Sequence, residues 1–157
     1  IEKFYEKFKI KFTILRFGSL YGLGTTKNNG VNTIIDEALK KNILSYQGSS
    51  LAARNYVHVS DATRACIKSI SRKYDNKYLN ITGNKKIKIS FLMKLLAKFM
   101  KIENSDIKYR NLKIEGHYVN TPRKFKPRQG SKLILKKYVN FEKSLRELII
   151  ERQKNII

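Results

Sequence analysis

The chain has 157 residues, and its 34 Lys and Arg against 12 Asp and Glu give a formal net charge of +22. The length is typical of one domain, and 41% hydrophobic residues are enough for a globular core. No apolar run approaches the roughly 18 residues that a membrane-spanning helix needs, and no signal peptide is visible. We therefore expect no membrane partner.

Cysteine and histidine usage excludes two further classes of site. The single Cys66 allows neither an internal disulfide nor a cysteine metal cluster. His58 and His117 do not have the spacing of zinc ligands. The sequence therefore predicts a metal-free protein of a reducing, cytoplasmic compartment.

The excess of basic residues has two interpretations. It fits a polyanionic partner, either a nucleic acid or a phosphorylated small molecule. It also fits the Lys, Asn and Ile enrichment that an AT-rich genome produces, and the basic residues are spread along the whole chain. A nucleic-acid surface would combine clustered basic residues with exposed aromatics, whereas Tyr and Phe here mostly fall on apolar stripes. We expect no specific nucleic-acid partner.

In the first half of the chain, apolar spacing predicts alternating helices and strands. Ile1, Phe4, Tyr5 and Phe8 form one stripe of a helix that has no capping residue before it. Bulky and extended runs at 12–17, 43–46 and 55–59 predict strands, and the stretch 18–30 is predicted to be a loop. The apolar side of a second helix consists of Val31, Ile34, Ile35, Ala38 and Leu39.

The second half continues the alternation. Ser60 is predicted to cap a helix over 61–71, Ser90 a second helix, and Asn140 a last one. Residues 77–81 are predicted to form a strand, and 107–137 are irregular and basic. Strands that alternate with helices predict an α/β fold with a largely parallel sheet.

Two segments carry a resemblance to a known family. The stretch LRFGSLYGLG at 15–24 is similar to "LR-x-x-N-x-YG-x-G", and GSSLAARNYVHVSDA at 48–62 is similar to "G-x-G-x-x-x-R-D-Y-[VI]-[HY]-V-x-D-x". LNITG at 79–83 resembles a following "YN-[IL]-G" strand, and GHYVNTP at 116–122, with Phe125, Pro127, Gly130 and Lys132, resembles the C-terminal end of some bacterial sugar epimerases. Jointly these motifs resemble the extended short-chain dehydrogenase/reductase family of NAD-dependent nucleotide-sugar epimerases, dehydratases and decarboxylases, over nearly the whole chain.

The resemblance implies an architecture and a function. Residues 1–157 would be the C-terminal part of a doubly wound, Rossmann-type parallel sheet plus a smaller substrate-binding lobe. The N-terminal half, which binds most of the NAD, would be absent, and the complete protein would form a homodimer. The implied activity is epimerisation of a nucleotide-diphosphate sugar, like that of a UDP-sugar 4-epimerase, with dehydration or decarboxylation as alternatives. A basic nucleic-acid-binding protein and a decayed fragment remain rival interpretations.

The resemblance also implies site residues. Arg54 would grip the substrate diphosphate, although a surface ion pair is the alternative. Ser19 stands where the family has a phosphate-binding Asn, and a hydroxyl donates one hydrogen bond where an amide donates two. Asn29 and Gly30 would touch the nucleotide. Gln47 would approach the uridine or ribose, or be a solvated turn residue. Phe17 would contact the nicotinamide end of NAD, or be a core residue.

The family's catalytic pair is a Tyr and a Lys four residues apart on one helix. Tyr5 and Lys9 have this spacing, but Tyr5 belongs to an apolar stripe and lies too close to the strand that follows. We therefore assign no catalytic residue within the chain and expect the pair about ten residues upstream of Ile1. Four other polar residues are interpreted structurally: Arg16 as a strand anchor, His58 as a satisfied core histidine, Asp61 as a helix-start acid, and Cys66 as a small buried hydrophobe.

Overall fold

Helices and strands alternate along the chain in the computed structural model, which describes residues 1–26, 28–110 and 130–154. The elements in chain order are α1 (Glu2–Phe8), β1 (Thr13–Phe17), β2 (Ser19–Tyr21), α2 (Gly30–Lys41), β3 (Leu44–Gln47), β4 (Ala53–His58), α3 (Val59–Ser69), β5 (Lys77–Ile81), β6 (Lys86–Lys88), α4 (Ile89–Met100), β7 (Ile107–Arg110), β8 (Ser131–Lys132) and α5 (Phe141–Lys154). In the described residues, no helix is long and apolar enough to cross a membrane.

The strands pair mostly in parallel, as predicted. β5 lies between β1 and β8 in one sheet, β4 lies between β2 and β6 in a second, and β3 pairs with β7. The pairs β1–β5, β5–β8, β2–β4 and β3–β7 are parallel, and β4–β6 is antiparallel. Parallel neighbours need a long crossover, which α2, β3, β4 and α3 provide between β1 and β5.

Two apolar clusters stabilise these layers. The larger one joins α2, α4 and α5 to β2, β3 and β4, and at its centre Ile35, Leu44, Ile89, Leu92, Leu96 and Leu145 are fully buried. The smaller one packs α3 against β4 and β5 through Val57, Ala62, Ala65, Leu79, Ile81 and Leu133. The chain therefore has a sheet-and-α3 layer and a separate helical lobe, which is the predicted fold class.

The short strands were only partly predicted. β2 interrupts the stretch 18–30 that was predicted to be a loop. β6 and β7 were also missed, since two to four residues of strand carry too little periodic pattern to recognise. The resembling tail residues 116–122, Phe125 and Pro127 lie outside the described residues.

The predicted helix starts are correct in one case and wrong in two. Asn140 caps α5, with its Oδ1 accepting from the amide of Lys143 at 2.9 Å. The cap of α3 is His58 rather than Ser60, and the Nδ1 of His58 accepts from the Ser60 amide at 3.2 Å. α4 begins at Ile89 after Lys88, with no side-chain cap, so Ser90 is inside the helix.

The apolar stripe of α1 is real but largely uncovered. Phe4 is 63% exposed and Phe8 51%, and Ile1 is exposed as well. Tyr5 instead packs edge-on against Phe12 at 5.9 Å between ring centroids. β1 pairs with β5 on one side, and within the described ranges no strand pairs with its other edge.

Cys66 does not lie on the buried side of α3 as predicted. That side consists of Asp61, Ala62, Ala65 and Ser69, and Cys66 is half-buried. Its neighbours Ile67 and Ile70 are exposed. Apolar residues on both sides of this helix misdirected the prediction.

Candidate functional site

A cleft of about 240 Å³ opens between β2, the start of α2, β3 and β4. Its walls are formed by Ser19, Leu20, Asn29, Gly30, Val31, Ile34, Tyr46, Arg54 and Tyr56. Four of the five residues that the sequence suggested for substrate binding therefore converge on one cleft, although they are up to 35 positions apart.

Arg54 contributes the positive charge of the cleft. It lies on β4 between Ala53 and Asn55, and its side chain is half-buried. The guanidinium donates to its neighbour's carbonyl oxygen, from Nη1 to the oxygen of Ala53 at 3.1 Å. Among the described residues no carboxylate forms an ion pair with it. The alternative of a surface ion pair thus finds no support, and the guanidinium is available to an anion.

The first turn of α2 forms a second wall. Asn29 caps the helix, since its Oδ1 accepts from the Val31 amide at 3.1 Å, while its Nδ2 donates to the Leu20 carbonyl at 2.7 Å. These two bonds fix the start of α2 against β2. The start of a helix carries partial positive charge and amides without intrahelical acceptors, and no acidic residue lies in this turn. This wall therefore also favours an anion.

Ser19 completes the polar lining from β2. Its backbone lies in register with Tyr56 of the parallel neighbour β4. Side chains at i and i+2 of a strand share a face, so Arg54 and Tyr56 point to the same side of β4. A hydroxyl, a guanidinium and a helix start thus surround one space.

Two predicted residues lie outside this lining. Gln47 is exposed at the end of β3, and its neighbour Tyr46 lines the cleft instead. Phe17 is exposed at the carboxyl end of β1, so it is not a core residue of this chain. Its contact with a cofactor stays a prediction.

Two cleft residues were missed, Tyr46 and Tyr56. Tyr56 is only 8% exposed, and burial raises the pKa of its phenol. The alternation of β4 after Arg54 could have identified Tyr56. Nothing local in the sequence distinguishes Tyr46, which reaches the cleft only because β3 lies beside it.

The polar residues interpreted structurally do have structural partners. Asp61 is 2% exposed, pairs with Arg64 and accepts from the Val139 amide at 3.1 Å. His58 caps α3, as described above, and Arg16 lies over the Tyr78 ring at 5.0 Å from its centroid.

Tyr5 and Lys9 do not form a catalytic pair. Lys9 follows the last turn of α1 in a left-handed conformation, with φ 55°. Its ammonium lies over the Tyr5 ring, 5.7 Å from the centroid. The two residues therefore do not project together from one helical face.

Comparison with protein families decides the affiliation. The model of the NAD dependent epimerase/dehydratase family matches residues 1–82, which is more than half of the 157 residues. The chain belongs to this family. The matched segment includes β1 to β5 and all the cleft residues.

Solved structures of epimerases and dehydratases share the fold. The UDP-glucuronic acid 4-epimerase of Bacillus cereus, in complex with UDP-glucuronic acid and NAD, matches with a TM-score of 0.78 at 14% identity, over 98% of this chain and 49% of that one. The UDP-glucose 4-epimerase of Thermotoga maritima, with UDP-glucose, matches with 0.72 at 23% identity over 99% and 50%. The dTDP-glucose 4,6-dehydratase of Bacillus anthracis, in complex with NAD, matches with 0.73 at 19% identity over 98% and 48%.

This family member spans about half the length of the structures it matches. At these identities the likeness shows the fold alone. No curated protein sequence matches the chain.

The described residues of the epimerase/dehydratase chain do not fit a complete dinucleotide site. Such a site needs a glycine-rich turn between a strand and the start of a helix. Gly22 and Gly24 follow β2, but α2 begins only at Gly30. Phe17 is thus the one residue that we associate with NAD, and no step through the cofactor can be derived from this chain.

Proposed function

We propose that this chain is the C-terminal, substrate-binding half of an NAD-dependent nucleotide-sugar epimerase of the UDP-sugar 4-epimerase type. Its cleft would hold the diphosphate of the nucleotide sugar. The observation that carries the proposal is the convergence of Arg54, Ser19 and the start of α2 on one cleft. The sequence motifs that resemble the family predicted this set before any geometry was considered.

The chemistry of a diphosphate suits this lining. Phosphate oxygens accept paired, charge-assisted hydrogen bonds from a guanidinium. They also bind at helix starts, where backbone amides and the helix dipole both favour negative charge. Asn29 and Gly30 supply the helix start, and Ser19 adds a hydroxyl. Several weak contributions therefore act on one ligand group.

The redox step would belong to the other half of the fold. The matched structures are about twice as long as this chain, and several of them contain NAD. We propose that the Tyr–Lys pair and most of the NAD site lie in a region that precedes Ile1 in the complete enzyme. The exposed stripe of α1 and the free edge of β1 support a covering lobe there. Dehydratases share this fold, so dehydration is the second candidate.

The experiment measures binding of UDP to the purified chain by isothermal titration calorimetry. Arg54→Ala should weaken binding by roughly ten- to a hundredfold, because a charged hydrogen-bond partner of phosphate is lost. Arg72→Ala is the matched control, since Arg72 is exposed and outside the cleft. Unchanged binding by Arg54→Ala, or equal losses in the two variants, would reject the diphosphate site.

A further inference from the structure

Tyr56 has a hydroxyl without a structural role. The ring is well packed, lying edge-on to Tyr21 at 6.1 Å and tilted against Phe141 at 5.8 Å between centroids. Yet the hydroxyl forms no hydrogen bond with any residue in the described part of the chain. A polar group inside a packed region usually has a partner, so its exceptions need an explanation.

The hydroxyl is accessible on the side of the cleft. In the described ranges, Asn32 Oδ1 is the one side-chain polar atom that is both enclosed and unpartnered, so the Tyr56 hydroxyl is not enclosed. The charged or ionisable groups that act on it are Tyr46 and Arg54, and both line the cleft. Tyr56 therefore presents an open O–H group beside the Arg54 guanidinium.

We infer that the Tyr56 phenol donates a hydrogen bond to a phosphoryl oxygen of the ligand in this cleft, and so helps to determine specificity for phosphorylated ligands. This inference rests on the proposed function, because it uses the same cleft. A phenol that stays protonated is a donor at neutral pH, and its neighbour Arg54 attracts the anion to it. The aromatic packing holds the donor in place before the ligand arrives.

The neighbouring Tyr21 provides a matched control. Its ring belongs to the same aromatic group, but its hydroxyl bonds the Ser144 hydroxyl at 2.9 Å and is buried. Removal of each hydroxyl should therefore have opposite consequences. Tyr21→Phe should lower the urea midpoint of unfolding and leave UDP affinity unchanged. Tyr56→Phe should leave the midpoint unchanged or raise it, since no bond of the fold is lost, and should weaken UDP binding by roughly tenfold or more.

The experiment combines UDP titration calorimetry with urea unfolding for wild type, Tyr56→Phe, Tyr21→Phe and Arg54→Ala. Weaker binding in Tyr56→Phe at an unchanged midpoint supports the inference. If Arg54→Ala loses affinity and Tyr56→Phe does not, the phenol contact is wrong and the diphosphate site stands. If Tyr56→Phe loses both affinity and stability, its role is structural and the inference fails. If UDP does not bind the wild type, both the site and the contact are rejected.

Discussion

Gly18 and the carbonyl oxygen of Asn55 are so close that a Cβ atom on Gly18 would overlap this oxygen. Gly18 joins β1 to β2 at the point where the chain leaves the β1–β5 pair and joins the β2–β4 pair. Its amide donates to the Ile81 carbonyl at 2.8 Å, which ties the junction to β5. The missing side chain therefore allows two sheets and the entrance to the cleft to share one crossing point.

The first prediction concerns this crossing. Gly18→Ala should lower the free energy of unfolding by about 1–3 kcal/mol, because the backbone of β4 must shift to admit a methyl group. Gly30→Ala is the control, since a Cβ there meets no atom within 4 Å. It should be neutral or slightly stabilising in a helix. Urea unfolding of the two variants measures the difference, and equal stability would contradict the crowded geometry.

The second prediction is a pH dependence of stability caused by His58. Its Nδ1 accepts a hydrogen bond as the cap of α3, so the ring must be neutral there. Burial lowers the pKa of His58 from its ordinary value of 6.5, and Arg64 lowers it further, while Asp61 and Glu147 oppose them. The unfolded chain thus binds a proton more readily than the folded one. Stability is complete above pH 6.5 and falls as the pH decreases through 6.5 towards the lower folded pKa.

His58→Asn separates this effect from the general acid response. Asn is a good helix cap and does not titrate. Urea unfolding between pH 8 and 5 should show that wild type loses stability relative to His58→Asn only below about pH 6.5. Parallel stability profiles of the two proteins across this range would show that the cap does not respond to protonation.

The third prediction concerns the ion pair between α2 and α5. Arg152 donates from Nε to Asp36 Oδ1 at 2.6 Å and also contacts Oδ2 through Nη2, and both side chains are about one-fifth exposed. A double-mutant cycle with Asp36→Asn and Arg152→Gln should give a coupling on the order of 1 kcal/mol. The more exposed pair Lys11–Asp75 is the comparison and should couple less strongly. A larger coupling for Lys11 would contradict the link between geometry and stability.

The sequence predicted the order of the main elements but not which faces are covered. The 3.6-residue period places Ile1, Phe4 and Phe8 of α1 on one stripe, yet it contains no information about what covers that stripe. In the same way Ser60 and His58 are both able to cap a helix, and only the backbone course decides between them. Period is a local property, whereas burial depends on the whole fold.

The site was predicted better than the periodicity alone would allow. Arg54, Ser19, Asn29 and Gly30 were identified by motifs that resemble the family, and the structure brings them to one cleft. Tyr46 reaches it from β3, which pairs with β7 rather than with the strand that carries Arg54. This approach between separate sheets is a tertiary contact, and no residue spacing encodes it.

The last prediction concerns the one cleft residue that departs from the family pattern. Ser19 lines the cleft from β2, opposite the start of α2, and its hydroxyl donates at most one hydrogen bond. An Asn amide donates two, and each bond to a charged oxygen strengthens binding by roughly tenfold. Ser19→Asn should therefore tighten UDP binding by up to about tenfold, whereas Ser19→Ala should weaken it. Titration calorimetry on both variants, with urea unfolding to confirm an intact fold, measures the order of affinities. If Ser19→Asn binds less tightly than Ser19→Ala in folded protein, the ligand phosphate does not lie beside β2.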